Sequence, residues 1–310
     1  MNQEQLSVLK HIQSVCKKDF SRFEFWPAYF ERRFTEFLSY EQLFPVKQFG
    51  KVLEVGCGNG FYSCLLSKLS DEVVASDLED PTLDQHAHGL QNAREMIAAM
   101  GFPNIKLQGA SIEAIPFPDN SFDMVFASHV LIYLGDKTKA LQEVNRVLKP
   151  GGYFICIVPT RASKVYNLLL FQVYILKRAF YHLLLKHFER KQKVDTVAVK
   201  NSAELKSRPI NLSSLKDYPF PPPFGGLKHW KDEFREWSPD GWRGLLEEKG
   251  GLRFVSQSTT QINPLLPILG ESFHYLAAAI YAYTWRIESR LGRLKFFQRF
   301  GLNSIIILQK

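Results

Sequence analysis

Residues 52–60, Val-Leu-Glu-Val-Gly-Cys-Gly-Asn-Gly, constrain this chain more than any other stretch. An apolar run with β-branched members that ends in glycines reads as a buried parallel strand entering a tight turn. Residues 61–69 then carry apolar side chains at helical spacing. Gly56, Gly58 and Gly60 therefore sit between the C-terminal end of a strand and the N-terminal end of a helix. In open parallel sheets ligands bind at that place. Glycine lets backbone N–H groups approach a ligand closely and tolerates positive φ. Taken alone, such a turn can also do no more than end a strand.

The spacing is G-x-G-x-G rather than the G-x-G-x-x-G of dinucleotide binders. Glu54 stands two residues before the first glycine, where a pyrophosphate would be repelled and a cationic amino-acid end would not. A second apolar run, residues 72–77, ends in Asp77, with Glu79 close behind. A carboxylate at this place can accept both hydrogens of a ribose diol. Residues 110–125, Ala-Ser-Ile-Glu-Ala-Ile-Pro-Phe-Pro-Asp-Asn-Ser-Phe-Asp-Met-Val, form another distinctive stretch. An amphipathic helix at 138–148 runs into Leu148-Lys149-Pro150-Gly151-Gly152, where proline stops the helix and the glycine pair turns the chain into a fifth strand at 153–158.

These three motifs, in this order, resemble motif I (E/D-x-G-x-G-x-G), the G-D-A-E-x-L-P-F-x-D-x-S-F-D-x-V stretch and the L-K-P-G-G turn of class I S-adenosylmethionine-dependent methyltransferases. The resemblance covers about residues 50–160. It implies an α/β fold: a Rossmann-like, seven-stranded, mostly parallel sheet with helices on both faces. It implies S-adenosylmethionine as cofactor. Glu54, Gly56 and Gly58 would hold the methionine end and Asp77 the ribose, with Cys57, Gly60 and Leu78 also among the cofactor-binding residues. Ser111 and Ile112 would meet the adenine, with Ser128 at the end of the fourth strand. Ser111 departs from the pattern, because the family has an acid there; a serine hydroxyl accepts without charge assistance. His129 and Tyr133 face the expected position of the reacting methyl and are the proton-handling candidates, His129 first. The implied reaction is in-line methyl transfer, with no metal site because no acid or histidine cluster has ligand spacing.

The remaining chain departs from the minimal plan. Residues 1–50 read as an N-terminal helical cap, 51–160 as the cofactor-binding core, and 161–235 as a helical and loop insertion. Residues 236–310 return to the core with a second helical insertion at 264–300. Ser238-Pro239-Asp240 is a helix start. A sixth strand is expected at 252–262, and a seventh, antiparallel, at 304–308. Residues 164–193 are apolar but interrupted by Lys177, Arg178 and Lys186, too short a run to span a bilayer. With the basic, aromatic stretch at 276–299 they suit a membrane interface, a lid over a lipophilic acceptor, or a subunit contact. His229, Trp230 and Trp237 are read as residues that contact substrate or close the pocket.

The net charge of +8 suits anionic membrane lipid or an acidic substrate, with nucleic acid ranked last. The 14% aromatic content, with 25 Phe, suits an apolar pocket, an interfacial surface or, most plainly, a bulky core, and the aromatic, apolar insertions favour a small or lipid-like acceptor. Cys16, Cys57, Cys64 and Cys156 form no C-x-x-C pair and read as reduced packing residues. The N-terminus lacks a basic region followed by an apolar run, so the expected location is cytoplasmic, with the insertions available for peripheral membrane contact. Two other classes stand beside the methyltransferase: a non-catalytic membrane-associated protein of the same fold, and an NAD(P)-dependent oxidoreductase. The sequence does not fix the oligomeric state.

Overall fold

The structure is a computed structural model that describes residues 10, 11, 14, 26–80, 89–166, 230–260, 284 and 286–310. Helix α1 (Trp26–Glu41) precedes strand β1 (Phe49–Val55), helix α2 (Phe61–Leu66) and strand β2 (Ser70–Asp77). Helix α3 (Leu90–Met100), strand β3 (Ile105–Gly109) and strand β4 (Phe122–Ser128) follow. Helix α4 (Thr138–Val147) leads directly into strand β5 (Leu148–Pro159). Helices α5 (Trp230–Glu236) and α6 (Pro239–Gly250), then strands β6 (Arg253–Thr260) and β7 (Asn303–Gln309), complete the described elements. The chain divides into two compact units, Met1–Ser163 with Phe224–Lys310, and Lys164–Pro223. Everything below concerns the first.

Its sheet has seven strands in the order β3-β2-β1-β4-β5-β7-β6. Strands β1 to β5 pair in parallel, and β7 runs antiparallel to both β5 and β6. The fold is thus the Rossmann-like, mostly parallel sheet that the motifs imply. Strand order reverses between β1 and β4, which opens the crevice where doubly wound sheets take ligands.

The sheet is buried on both faces, so its strands are apolar on alternate and intervening positions alike. Val52, Val73, Met124, Phe126, Ile155 and Ile307 pack against α1, α2 and α3 through Phe34, Phe37, Leu65 and Met96. Leu53, Val74, Val125, Phe154 and Leu308 pack on the other side with Leu141 and Val144 of α4 and Trp242 and Leu246 of α6. Ser238 caps α6 as its sequence requires: its Oγ accepts from Gly241 N at 2.9 Å, and Pro239 takes the first turn. Such a cap contributes about 1 kcal/mol. Cys57, Cys64 and Cys156 are buried thiols, and burial, the leading cause, raises the pKa of each. Cys16 lies outside the described residues.

Three details differ from the sequence reading. Helix α2 ends at Leu66 rather than Leu69, because Ser67 Oγ bonds back to Cys64 O at 2.8 Å and the chain tightens into a turn. Strand β5 begins at Leu148, so Lys149-Pro150-Gly151-Gly152 is an irregularity within the strand rather than a turn before it. Leu148 pairs with Phe122 and Tyr153 with Met124, and Gly151 is left-handed at φ 78°. Lys149 Nζ reaches back to both oxygens of Asp123, at 2.8 and 2.9 Å, while Asp123 Oδ2 accepts from Lys51 N at 2.7 Å. Partial burial raises the Asp123 pKa, but these bonds outweigh it and hold the carboxyl below its usual range. Finally, Trp237 is a core residue, 2% exposed, rather than a pocket wall. The expected insertion helix at 164–193 falls largely outside the described residues.

Candidate active site

Strand β1 ends at Val55 and α2 starts at Phe61, so residues 56–60 make the whole turn. Gly56 (φ 65°), Gly58 (φ 56°) and Gly60 (φ 75°) are all left-handed, a conformation that L side chains rarely adopt. Gly56 is also crowded: a Cβ there would overlap Cγ2 of Val130, two residues past the end of β4. The exits of the two strands that flank the crevice are therefore in contact. Cys57 N donates to Ser76 O and Gly60 N to Cys57 O, each at 2.9 Å, which holds the turn flat against β2.

Asp77 closes β2 and faces this turn. Its Oδ2 accepts from Gly58 N at 2.7 Å and its Oδ1 from Leu78 N at 2.8 Å. An ionised carboxylate has about four acceptor positions, so lone pairs remain for two hydroxyl hydrogens. Glu79, the alternative acid, lies instead against Gly109, where a Cβ would overlap its carboxyl. Leu78 is half-exposed beside Asp77.

Glu54 is buried at 1% exposure, and Ser63 Oγ of α2 donates to its Oε2. Burial raises its pKa, the Ser63 bond lowers it and the Asp77 charge raises it again, to about 8. At neutral pH the ligand-free chain therefore favours the protonated acid. A cation brought to the crevice would favour the carboxylate.

Ser111 and Ile112 follow β3, and Ala110 N is tied to Asp77 O at 2.8 Å. Ser111 Oγ accepts from Glu113 N at 3.2 Å and closes a small turn. The Ile112 side chain, 7% exposed, packs into the core on the α4 face. Tyr133 sits in a single 3₁₀ turn, Leu131–Tyr133, and is 66% exposed.

His129 follows β4 directly and is left-handed at φ 60°, a strained conformation for a residue with a Cβ. Its Nδ1 lies 3.2 Å from Ser128 Oγ and its Nε2 lies 3.0 Å from Asn303 Oδ1. Asn303 begins β7, and its Nδ2 donates to Glu36 Oε1 of α1 at 2.8 Å. Tyr40 OH also donates to that oxygen, at 2.5 Å, and Arg33 Nη1 donates to Glu36 Oε2 at 3.0 Å. The His129 ring is half-buried. Desolvation first and the Arg33 cation second push its pKa down, against the opposing effects of Glu36 and Asn303, to about 4. Sequence reading found His129 but neither Glu36 nor Asn303. One signal was present: an acid amid Phe34, Phe37 and Leu38 on a helix face that packs against the sheet.

Comparison with known proteins agrees with this geometry. Residues 53–156 match the family model described as a methyltransferase domain. The chain is 35% identical over 136 residues to the ubiquinone/menaquinone biosynthesis C-methyltransferase UbiE of Pasteurella multocida (strain Pm70), covering 41% of this chain and 48% of that protein. It is 39% identical over 107 residues to a demethylmenaquinone methyltransferase of Staphylococcus aureus (strain MRSA252), covering 34% and 42%. A third relative, a demethylmenaquinone methyltransferase of Symbiobacterium thermophilum, is 32% identical over 174 residues, covering 55% and 62%. The chain thus spans less than two thirds of the length of these relatives. Across residues 53–156 it carries a class I S-adenosylmethionine-dependent methyltransferase domain. The residues present fit that cofactor: the three left-handed glycines put backbone without side chains at the crevice, Asp77 keeps unused acceptor positions, and Glu54 is a buried acid that a cation would favour as carboxylate.

Proposed function

We propose that this chain transfers the S-adenosylmethionine methyl group to a small aromatic acceptor of quinone type. The observation that carries the reading is the crevice itself. Three left-handed glycines lie at the β1–β4 reversal, and Asp77 is bonded into the same turn through Gly58. The relatives named for ubiquinone, menaquinone and demethylmenaquinone methylation support the acceptor class.

In this reading Glu54, Gly56, Cys57, Gly58 and Gly60 hold the amino-acid end of the cofactor. Asp77 takes the ribose with Leu78 beside it, Ser111 and Ile112 flank the adenine, and Ser128 closes the crevice from β4. The cofactor supplies an electrophilic methyl on sulfonium. The chain supplies alignment and dryness, and holding two reactants in line is worth effective molarities of about 10⁵ M or more. His129, neutral at physiological pH, is an acceptor of hydrogen bonds beside the crevice, and Tyr133 is an exposed donor at its rim.

The test is calorimetric titration with S-adenosylmethionine and S-adenosylhomocysteine. Wild-type protein should bind, and Asp77→Ala should bind at least tenfold more weakly. Labelled methyl should then pass to a demethylated quinol. A folded wild-type protein that binds neither compound would sink the reading. Cofactor binding with no transfer to any acceptor would favour the non-catalytic alternative.

A surface reading accompanies it. Ile287, Leu294, Phe296 and Phe300 are all at least half-exposed, among Arg286, Arg290, Arg293, Lys295 and Arg299. Exposed aromatic residues among cations suit an anionic lipid surface, where an apolar acceptor would be met. Among the described residues no helix is long and apolar enough to cross a membrane. Sedimentation with vesicles that contain anionic lipid, but not with neutral ones, is the expected result.

A further inference from the structure

The hydrogen bonds around His129 have a direction that fixes which ring nitrogen carries the proton. Glu36 receives Arg33, Tyr40 and Asn303, so its carboxylate acts only as an acceptor. Asn303 must therefore present its amide NH₂ to Glu36. The reversed amide would set its oxygen against the carboxylate at 2.8 Å. With the NH₂ committed, the oxygen of Asn303 faces His129, and Nε2 at 3.0 Å must carry a hydrogen. A neutral imidazole has one N–H, so Nδ1 is the bare nitrogen. The Ser128 hydroxyl at 3.2 Å then donates to Nδ1, and its own lone pairs are left to accept.

We propose that Glu36 and Asn303 are positioning residues that lock His129 in its Nε2–H tautomer, so that Ser128 Oγ is a one-way acceptor for a hydroxyl of the methyl acceptor. The assignment of that hydroxyl rests on the methyltransferase reading; the tautomer does not. Four features support the pair. Glu36 is fully buried and Asn303 8% exposed, so water competes weakly for their bonds. The bonds join residues 174 and 267 positions apart, so they form only when α1, β4 and β7 are packed together. His129 stays neutral over the physiological range, facing Arg33 and Glu36 of α1, so the lock is not lost to protonation. Ser128 is half-buried at the mouth of β4, one residue from His129 and two from Val130, which touches the glycine turn.

The chemical consequence is selectivity for a donor. An acceptor ring carrying O–H gives its hydrogen to Ser128 Oγ, which orients the ring and draws electron density towards the carbon to be methylated. A ring without O–H, or one already methylated at oxygen, leaves the Ser128 lone pairs unmet in a partly dry site.

Two-bond ¹H–¹⁵N NMR of histidine-labelled, ligand-free protein reads the tautomer directly, with His129→Gln to assign the signal. The expected spectrum is that of Nε2–H from about pH 5.5 to 8, with a titration midpoint below about 5. An Nδ1–H pattern, a mixture of tautomers, or a midpoint near the ordinary histidine value of about 6.5 would overturn the lock in the wild-type protein, whatever the variants do. Asn303→Leu should give a tautomer mixture. An unchanged tautomer in folded Asn303→Leu protein would overturn the role of the pair. For Ser128, 1-naphthol should shift the His129 Nδ1 signal in the presence of S-adenosylhomocysteine, naphthalene should not, and Ser128→Ala should abolish the difference. Equal shifts from both probes would overturn the hydroxyl assignment. S-adenosylhomocysteine affinity on the same samples reports on the methyltransferase reading separately, since the tautomer is measured without it.

Discussion

Gly56 and His129 share a backbone conformation, at φ 65° and 60°, just past the ends of adjacent strands β1 and β4. They meet through Val130, yet they hold that conformation for opposite reasons. At Gly56 there is no Cβ to resist it, and a Cβ would collide. At His129 there is a Cβ, and long-range bonds to Asn303, and through it to Glu36, hold the side chain in place. The first position is shaped by what it lacks and the second by what it is tied to. A turn of the first kind is built from contiguous sequence. A position of the second kind exists only after α1, β4 and β7 have packed.

The largest effect should come from cutting the tie. Glu36→Ala removes the common acceptor of Arg33, Tyr40 and Asn303 inside the core. Breaking a buried charged network by deleting one partner costs about 3–5 kcal/mol. Urea unfolding should show that loss, and the His129 midpoint should fall further below its ordinary value, because the Glu36 charge and the Asn303 bond both hold it up against burial and Arg33. A loss under about 1 kcal/mol would mean that the network holds nothing together, and the contrast with Gly56 would collapse.

Next comes Gly56→Ala, set beside Gly101→Ala. Gly101 is also left-handed, at φ 72°, but a Cβ there would meet nothing within 4 Å. Gly101→Ala should therefore show only the backbone strain, about 1 kcal/mol. Gly56→Ala adds the overlap with Val130 and should lose about 3 kcal/mol in all, together with cofactor affinity. Equal losses would show that crowding is not what the turn requires.

These contrasts also mark how far the sequence was readable. Gly56, Gly58, Gly60 and Asp77 lie within 22 residues of one another, and their residue types are themselves the signal: glycine permits the left-handed turn, and the acid ends the next strand. The seven-stranded, mostly parallel sheet and its antiparallel last strand followed from the family that the three motifs resemble, whereas the strand order came only from the structure. The partners of His129 were not legible, because hydrogen bonds across 174 and 267 residues leave no local pattern. Strand β5 misled for a related reason. Pro150 and the glycine pair signal a turn, but Lys149 is anchored on Asp123, 26 residues earlier, which holds the segment beside β4. Trp237 looked like a pocket residue because composition cannot tell a buried indole from an exposed one.

Glu54→Gln probes the first region by pH. The folded-state pKa of Glu54, about 8, lies above the ordinary carboxyl value of 4.5. The fold thus favours the protonated acid. Its stabilising contribution is complete below pH 4.5 and is lost as pH rises towards 8. Glutamine is neutral at every pH and removes that slope. The variant should match wild type near pH 4.5 and exceed it by about 1–3 kcal/mol at pH 8, measured by urea unfolding in the absence of ligand. Cofactor affinity should fall, because no carboxylate can then form opposite the cationic end. A parallel pH dependence in the two proteins would show that Glu54 is not the group titrating.

The smallest stability change, and the sharpest use of the comparison, is His129→Gly. It converts the second kind of left-handed position into the first. Glycine relieves strain of about 1 kcal/mol at φ 60°. It also removes the bond to Asn303 Oδ1, whose loss costs about 1 kcal/mol when the oxygen is left unpaired in a partly buried site. The two effects oppose each other, so stability should stay within about 1 kcal/mol of wild type. Binding of S-adenosylhomocysteine should persist, since the glycine turn and Asp77 are untouched. A preference for 1-naphthol over naphthalene, read as calorimetric affinity in the presence of S-adenosylhomocysteine, should vanish, because Ser128 loses the nitrogen that directs its hydrogen. A folded His129→Gly protein that still prefers the hydroxylated ring would show that the strained histidine serves the packing of β4 and not the acceptor.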